Sequence, residues 1–336
     1  MDAEEKVAPI LDDVRNYGDT ALCRYTKIYD FVELAPERIA VPEEEIREAL
    51  DAQPPEVIDA LKLAAGRIRA FHEACLPKVI ETAPAPGERL ALRPIPLRRA
   101  GLYVPGGRGA YPSTVLMSAI PAAVAGVEEI VICSPPDGEG NIAPSVLAAA
   151  SLTGVKRIFR AGGAQAIAAM AYGTATIEKV DKIVGPGNIF VAAAKRLVRD
   201  VADVDKDAGP SEVVVILDDP ARAEWAAADM IAQAEHDPSA MAVGVAIGKE
   251  AADMLDREIE RQTAEAARRE VVEESLKGQG AIVEAATLEE AIEAAERLAP
   301  EHLELLIERP GEAAAKIRNA GAIFLGPWSP ASFGDY

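Results

Sequence analysis

Histidine and cysteine are scarce in this 336-residue chain, with three of each. The cysteines, Cys23, Cys75 and Cys133, are far apart, odd in number and never in a C-x-x-C pair, which excludes a disulfide framework and a zinc knuckle. Cys133 sits in the apolar run "EEIVICS", where a thiol acts as a small core hydrophobe. Basic residues are also in deficit: 35 against 55 acidic ones give a net charge of -20. Contacts to a phosphate backbone need clustered Lys and Arg, so nucleic acid and anionic membrane surfaces are excluded as partners. No apolar stretch reaches the ~18 residues of a membrane span before Pro or Gly interrupts it. The opening "MDAEEKVAPILDDV" is acidic and helical in pattern, unlike a signal peptide. These absences describe a cytoplasmic protein of a reducing compartment, with neither nucleic acid nor membrane as a partner.

At roughly 150 residues per domain, the length suits two domains. Residues 1 to about 75 read as helices, with apolar positions three and four apart in "APILDDVRNYGDTALCRYTKIYD" and "PPEVIDALKLAAGRIRAFHEA". His72, near the end of the second, reads as a surface or packing residue. From about 96 onward short β-rich runs alternate with helical ones. The runs 130–134, 156–161 and 181–185 form one series; 211–217, 241–248, 280–285 and 320–326 form another, with a helix over 221–237 and a long charged helix over 249–277. Such alternation implies right-handed crossovers and parallel sheets. The fold class is α/β: two doubly wound, incomplete Rossmann-like parallel-sheet domains with N-terminal helices. Those helices have no strands of their own and are expected on the second sheet. One domain would then be discontinuous, 1–102 plus 213–336, with 103–212 inserted in it.

In open α/β sheets ligands bind beyond the carboxyl ends of the strands. Four polar or glycine-rich turns follow expected strands there: "GLYVPGG" (101–107), "RAGGAQAIA" (160–168), "VGPGN" (184–188) and "DAGPSEV" (207–213). Each alone reads as turn chemistry; four at successive strand ends point to a ligand crevice. In "IAQAEHDP", Gln233 and His236 stand three apart at a helix end. An amide oxygen and an imidazole so spaced can reach one borderline cation such as zinc. They equally suit a helix C-terminus, with "DP" as its stop. In "LAPEHLELL", Glu301 and His302 follow Pro300 at an expected helix start, either as an acid–base pair or as a charged first turn. Asp335, in the closing "WSPASFGDY", is a ligand or a solvated carboxylate.

As an ordered set, "GLYVPGG", "STVLM", "CSPP", "GGAQAIAA", "VDKIVGPGN", "AGPSEV", "QAEHDP", "APEHLEL" and "GDY" resemble histidinol dehydrogenase across essentially the whole chain. The resemblance implies a zinc- and NAD-dependent homodimer that oxidises L-histidinol through histidinal to L-histidine, the last steps of histidine biosynthesis. By position it implies Gln233, His236 and Asp335 as zinc ligands, His302 as the base and Glu301 as the group that activates water. It further implies Ser211, Gln233, His236, His302 and Asp335 around the substrate, and Tyr103, Gln165 and Asn188 against NAD. The 103–212 domain would hold NAD and the discontinuous one zinc and the catalytic residues. The family continues beyond "GDY" into a tail that adds a glutamate and a last zinc-ligand histidine from the partner subunit. Its first segment, before "ILDDVRNYGDTAL", is short or absent here. A chain ending at Tyr336 is therefore expected to be a truncated form or a shortened relative. Two alternatives remain: a related dehydrogenase for another small polyol such as a sulfonated diol, and an inactive scaffold that keeps the fold.

Overall fold

The computed structural model describes residues 2–106, 109–205 and 211–334. They form two compact units, 2–205 and 211–334, each built on one five-stranded parallel sheet. In the first unit the chain runs α1 (Ala3–Tyr17), α2 (Asp19–Tyr29), α3 (Glu43–Asp51), α4 (Pro55–Ala74), then a small antiparallel hairpin, β1 (Ile80–Thr82) and β2 (Leu90–Leu92). The sheet follows: β3 (Arg99–Tyr103), α5 (Pro112–Val124), β4 (Glu129–Ser134), α6 (Pro144–Thr153), β5 (Arg157–Arg160), α7 (Gly163–Tyr172), β6 (Lys182–Val184), α8 (Ile189–Leu197) and β7 (Asp203–Val204). The second unit runs β8 (Glu212–Leu217), α9 (Ala223–Ala234), β9 (Met241–Ile247), α10 (Lys249–Glu265), α11 (Arg269–Gln279) and β10 (Gly280–Ala285). It ends with α12 (Leu288–Leu298), β11 (His302–Leu306), α13 (Pro310–Ala314) and β12 (Ala322–Leu325).

The strand orders are β5-β4-β3-β6-β7 and β10-β9-β8-β11-β12. Both follow one plan: the first strand lies mid-sheet, two strands are added on one side, then two on the other. The winding reverses between β3 and β6 in one unit and between β8 and β11 in the other. Strands such as "VVVIL" in β8 are buried along their length, as a parallel sheet covered on both faces requires.

The N-terminal helices do not join the second sheet. α1 packs against α7 and α8, and α3 against α6, so they cover the first sheet's helices and the domain is continuous. The cause is the composition of those helices. Every residue of α7 from Ala164 to Ala171 is buried. A helix apolar on all sides cannot face water and needs a second cover. Val7, Ile10, Leu11 and Val14 of α1 provide it on one face, while Ile46 and Ala49 of α3 and Leu61 and Ile68 of α4 join the cluster on the other. One polar lock reinforces this packing. Arg160, at the end of β5, is 3% exposed and bonds both Glu45 oxygens (2.8 and 2.6 Å) and the carbonyls of Arg38 (3.1 Å) and Ala40 (3.0 Å).

Two further differences concern the second unit. The charged helix expected over 249–277 is broken into α10 and α11. The stretch "HLELL", expected to open a helix, is instead the interior strand β11, paired with β8 and β12. Ala299, at φ +49°, ends α12, and Pro300 follows it, so helical geometry cannot carry into 302. Among the described residues no helix is long and apolar enough to cross a membrane. Cys133 is fully buried in the first unit's core, and burial pushes its thiol up.

Candidate active site

In the first unit, Tyr103 is the last residue of β3, and Gln165 and Asn188 follow the carboxyl ends of β5 and β6; Tyr103 and Asn188 flank the point at which the winding reverses. Tyr103 is buried, and its hydroxyl accepts the Gly163 N–H (3.0 Å). Burial pushes that phenol up to about 12, so it stays protonated. Gly163 opens α7 at φ +60°, and a Cβ there would stand 2.8 Å from Gln165 Oε1. Gln165 is 1% exposed, and its Nε2 has no hydrogen-bond partner among the described residues. A buried amide left unpaired costs free energy unless a ligand completes it.

Gly185 shows why the next turn needs glycine: at φ +117°, a Cβ would sit 2.1 Å from the Tyr103 carbonyl oxygen. The buried Lys195 fastens this turn, donating to Gly185 O (2.5 Å) and to Asp205 Oδ1 (2.6 Å). Asn188 caps α8, its Oδ1 accepting from Phe190 N (3.0 Å) and Val191 N (3.1 Å). The exposed Asn188 is thus a structural cap first, with its NH2 left to donate elsewhere. Asp30 was not singled out by the sequence. It lies beside Gly162, with Oδ2 buried and unpartnered among the described residues, and desolvation pushes its carboxyl up to about 6.

The second unit gathers its candidates at the opposite edge of the sheet. Ser211 immediately precedes β8, and its carbonyl accepts from Met241 N (3.1 Å) at the start of β9. His302 is the first residue of β11 and lies in register with Val213. Gln233 is in the last turn of α9, which packs along β8 and β9, and residues 235–240 return the chain to Met241. Ser211, Gln233, His236, Glu301 and His302 therefore share the amino edge, contrary to the expectation of carboxyl-edge binding throughout. The helix stops at Ala234, short of the expected 237, and a Gln233 O–His236 N bond (3.3 Å) continues the turn. Gln233 is 9% exposed, with Nε2 unpartnered among the described residues, whereas His236 is exposed.

His302 is oriented by its backbone neighbour. Its Nδ1 lies 3.2 Å from the carbonyl oxygen of Glu212. A carbonyl can only accept, so Nδ1 carries the proton and Nε2 is the basic nitrogen. The Glu301 N–H donates to Glu212 Oε2 (3.3 Å), and the Glu301 carbonyl accepts from Ala322 N (2.9 Å). Glu212 thus aligns both members of the Glu301–His302 pair, a role with no signal in the sequence.

Asp335 lies outside the described residues, as do 107, 108 and 206–210. Among the described residues no three His, Cys, Asp or Glu side chains cluster as a metal site. Gln233, an amide, offers the remaining donor type beside His236.

The family model of histidinol dehydrogenase matches residues 1–336. The chain is 50% identical over 335 residues to the histidinol dehydrogenase of Parasynechococcus marenigrum (strain WH8102), covering 100% of this chain and 76% of that one. Identity to the Methanosarcina barkeri (strain Fusaro / DSM 804) histidinol dehydrogenase is 48% over 336 residues, with 77% of that protein covered. The crystal structure of histidinol dehydrogenase from Elizabethkingia anophelis superimposes with a TM-score of 0.96 at 38% identity, covering 100% of this chain and 77% of its own. With matches spanning its whole length and both α/β units, the chain belongs to the histidinol dehydrogenase family of oxidoreductases.

Proposed function

We propose that this protein oxidises L-histidinol through histidinal to L-histidine in two successive NAD-dependent steps, as a zinc-dependent cytoplasmic homodimer. The observation that carries the reading is the amino edge of the second sheet, where an imidazole oriented by a backbone carbonyl, a neighbouring glutamate and a buried amide whose Nε2 is unpaired among the described residues occur together. The donor set suits the metal: the amide oxygen of Gln233, whose Nε2 has no hydrogen-bond partner among the described residues, and the exposed His236 imidazole are the O and N donor types that zinc accepts. Asp335 is the third ligand in this reading.

When bound, zinc supplies Lewis-acid polarisation of the substrate oxygen, and the nicotinamide supplies the hydride acceptor. The remaining chemistry belongs to the chain. In the first oxidation His302 Nε2 takes the alcohol proton while the carbinol carbon gives up its hydride. In the second, Glu301 takes a proton from the water that adds to the aldehyde, giving the hydrate as its oxyanion. His302 removes a hydroxyl proton from that hydrate as its C–H hydride departs, leaving the carboxylate. One histidinol, one water and two NAD give histidine, two NADH and three protons. Ser211, Gln233 and His236 orient the substrate at this edge, with Asp335 completing the set. Tyr103, Gln165 and Asn188 hold NAD, and the unpaired Gln165 Nε2 is the donor a polar cofactor group would complete.

The test is NADH formation by the full chain with zinc and histidinol. Two NADH per histidinol, abolished by chelation and restored by zinc, is the expected result. A folded, zinc-loaded chain that forms no NADH would refute the proposal.

A further inference from the structure

Beneath the amino-edge site lies a pair of acids with no role in the reaction as written. Glu304 stands two residues beyond His302 on β11 and so points to the same face of the strand. It is fully buried, an uncommon state for a carboxylate in the middle strands of a sheet. Its Oε1 accepts the Ala331 N–H (2.6 Å), while its Oε2 has no N–H donor among the described residues. The facing group is the half-buried Asp229 carboxyl, with which Glu304 shares a side-chain hydrogen bond.

Two carboxyls can bond each other only if one keeps its proton. Burial and the adjacent Asp229 push the Glu304 carboxyl up, and neither acid forms a salt bridge with Lys or Arg among the described residues. The positions of the three bonded elements give the pair its meaning. Asp229 precedes Gln233 by one turn of α9, Glu304 follows the base on β11, and Ala331 opens the segment that leads to Asp335.

We propose that Asp229 and Glu304 form a positioning pair that fixes the metal-binding end of α9, the strand bearing His302 and the segment leading to Asp335 in one arrangement. The inference rests on the function proposed above and adds two residues to it. Neither acid touches substrate or metal. The pair acts through the ligands it aligns, in the way that groups hydrogen-bonded behind a metal site set ligand geometry. Packing alone would fill this space equally well with a leucine, whereas the pair ties three elements through directional bonds.

Glu304→Gln, Glu304→Leu and Asp229→Ala, made in the full chain, test this. The amide of E304Q can accept from Ala331 and donate to Asp229, so it keeps both bonds. Its zinc Kd is expected within about threefold of wild type, while E304L weakens zinc binding about tenfold or more. In metal-free protein, amide exchange at 331–334 is expected to quicken in E304L and stay slow in E304Q. A merely structural residue would shift the melting temperature of both variants and leave zinc affinity and local exchange unchanged; that result overturns the inference. Should E304L not fold, D229A carries the same comparison, and a wild-type zinc Kd in D229A is equally fatal. Wild-type protein that binds no zinc would remove the functional reading on which the pair depends. Zinc-binding wild type with unaffected variants would remove this inference alone.

Discussion

Replacing His302 with asparagine separates its chemistry from its packing. The imidazole is half-buried, holds the Glu212 carbonyl through Nδ1 at 3.2 Å, and lies 6.0 Å from the Phe324 ring. An asparagine amide can make the same donation from nearly the same place, so the local fold survives. What disappears is Nε2, the only basic atom of the side chain. Loss of a general base costs about 10²–10⁴ in rate, which is roughly 3–5 kcal/mol of barrier at 1.36 kcal/mol per tenfold. Stability should change by no more than about 1 kcal/mol, the range of a substitution that leaves neither a cavity nor an unpaired group. The assay is steady-state histidinol-dependent NAD reduction at saturating zinc, run beside urea unfolding. H302N with turnover within about fivefold of wild type lies outside the range of a lost base and would refute the assignment. A large loss of stability would mean that the imidazole's contacts, and not its basicity alone, are lost in H302N.

Other perturbations follow from the same contacts. Gln233→Leu removes a buried amide whose Nε2 is unpaired, so the metal-free protein should hold or gain stability, up to about 1–3 kcal/mol, while zinc affinity is lost; titration calorimetry beside thermal melts of chelated protein checks both. Glu45→Ala strips the buried Arg160 of its bidentate partner and should cost about 3–5 kcal/mol by denaturant titration. Asp30 has its carboxyl pushed from 3.8 up to about 6 by burial. Between those values the folded chain holds a proton that the unfolded chain has lost, so wild type gains stability as pH falls through the window. Asp30→Asn should therefore be the more stable protein above pH 6, with an advantage that shrinks toward pH 4; urea midpoints that differ equally at both pH values would contradict this.

The parallel sheets were legible because their β-branched runs are short and bounded by glycine. The docking of the N-terminal helices was also written in the sequence, in the lack of any polar face in "AQAIAAMAY", a signal that outweighs the absence of nearby strands. β11 was not legible. In "PEHLELL" the charges at 301 and 304 mimic a helical turn, and only tertiary context, with Glu304 bonded to Ala331 and Asp229, lets a glutamate sit inside an interior strand. That error hid the arrangement of the site: as a strand, the same residues bring His302 to the edge occupied by Ser211 and the end of α9. Glu212 and the Asp229–Glu304 pair could not be found from spacing, since their partners come from remote parts of the chain.

The central claim is that α9 ends in a metal site. Crystals of the chain grown with zinc, with diffraction recorded on either side of the zinc absorption edge, test it directly. The account predicts an anomalous peak within ligand distance, about 2.0–2.2 Å, of a side-chain oxygen of Gln233 and a ring nitrogen of His236. Zinc found elsewhere, with the Gln233 amide still unpaired, would contradict it.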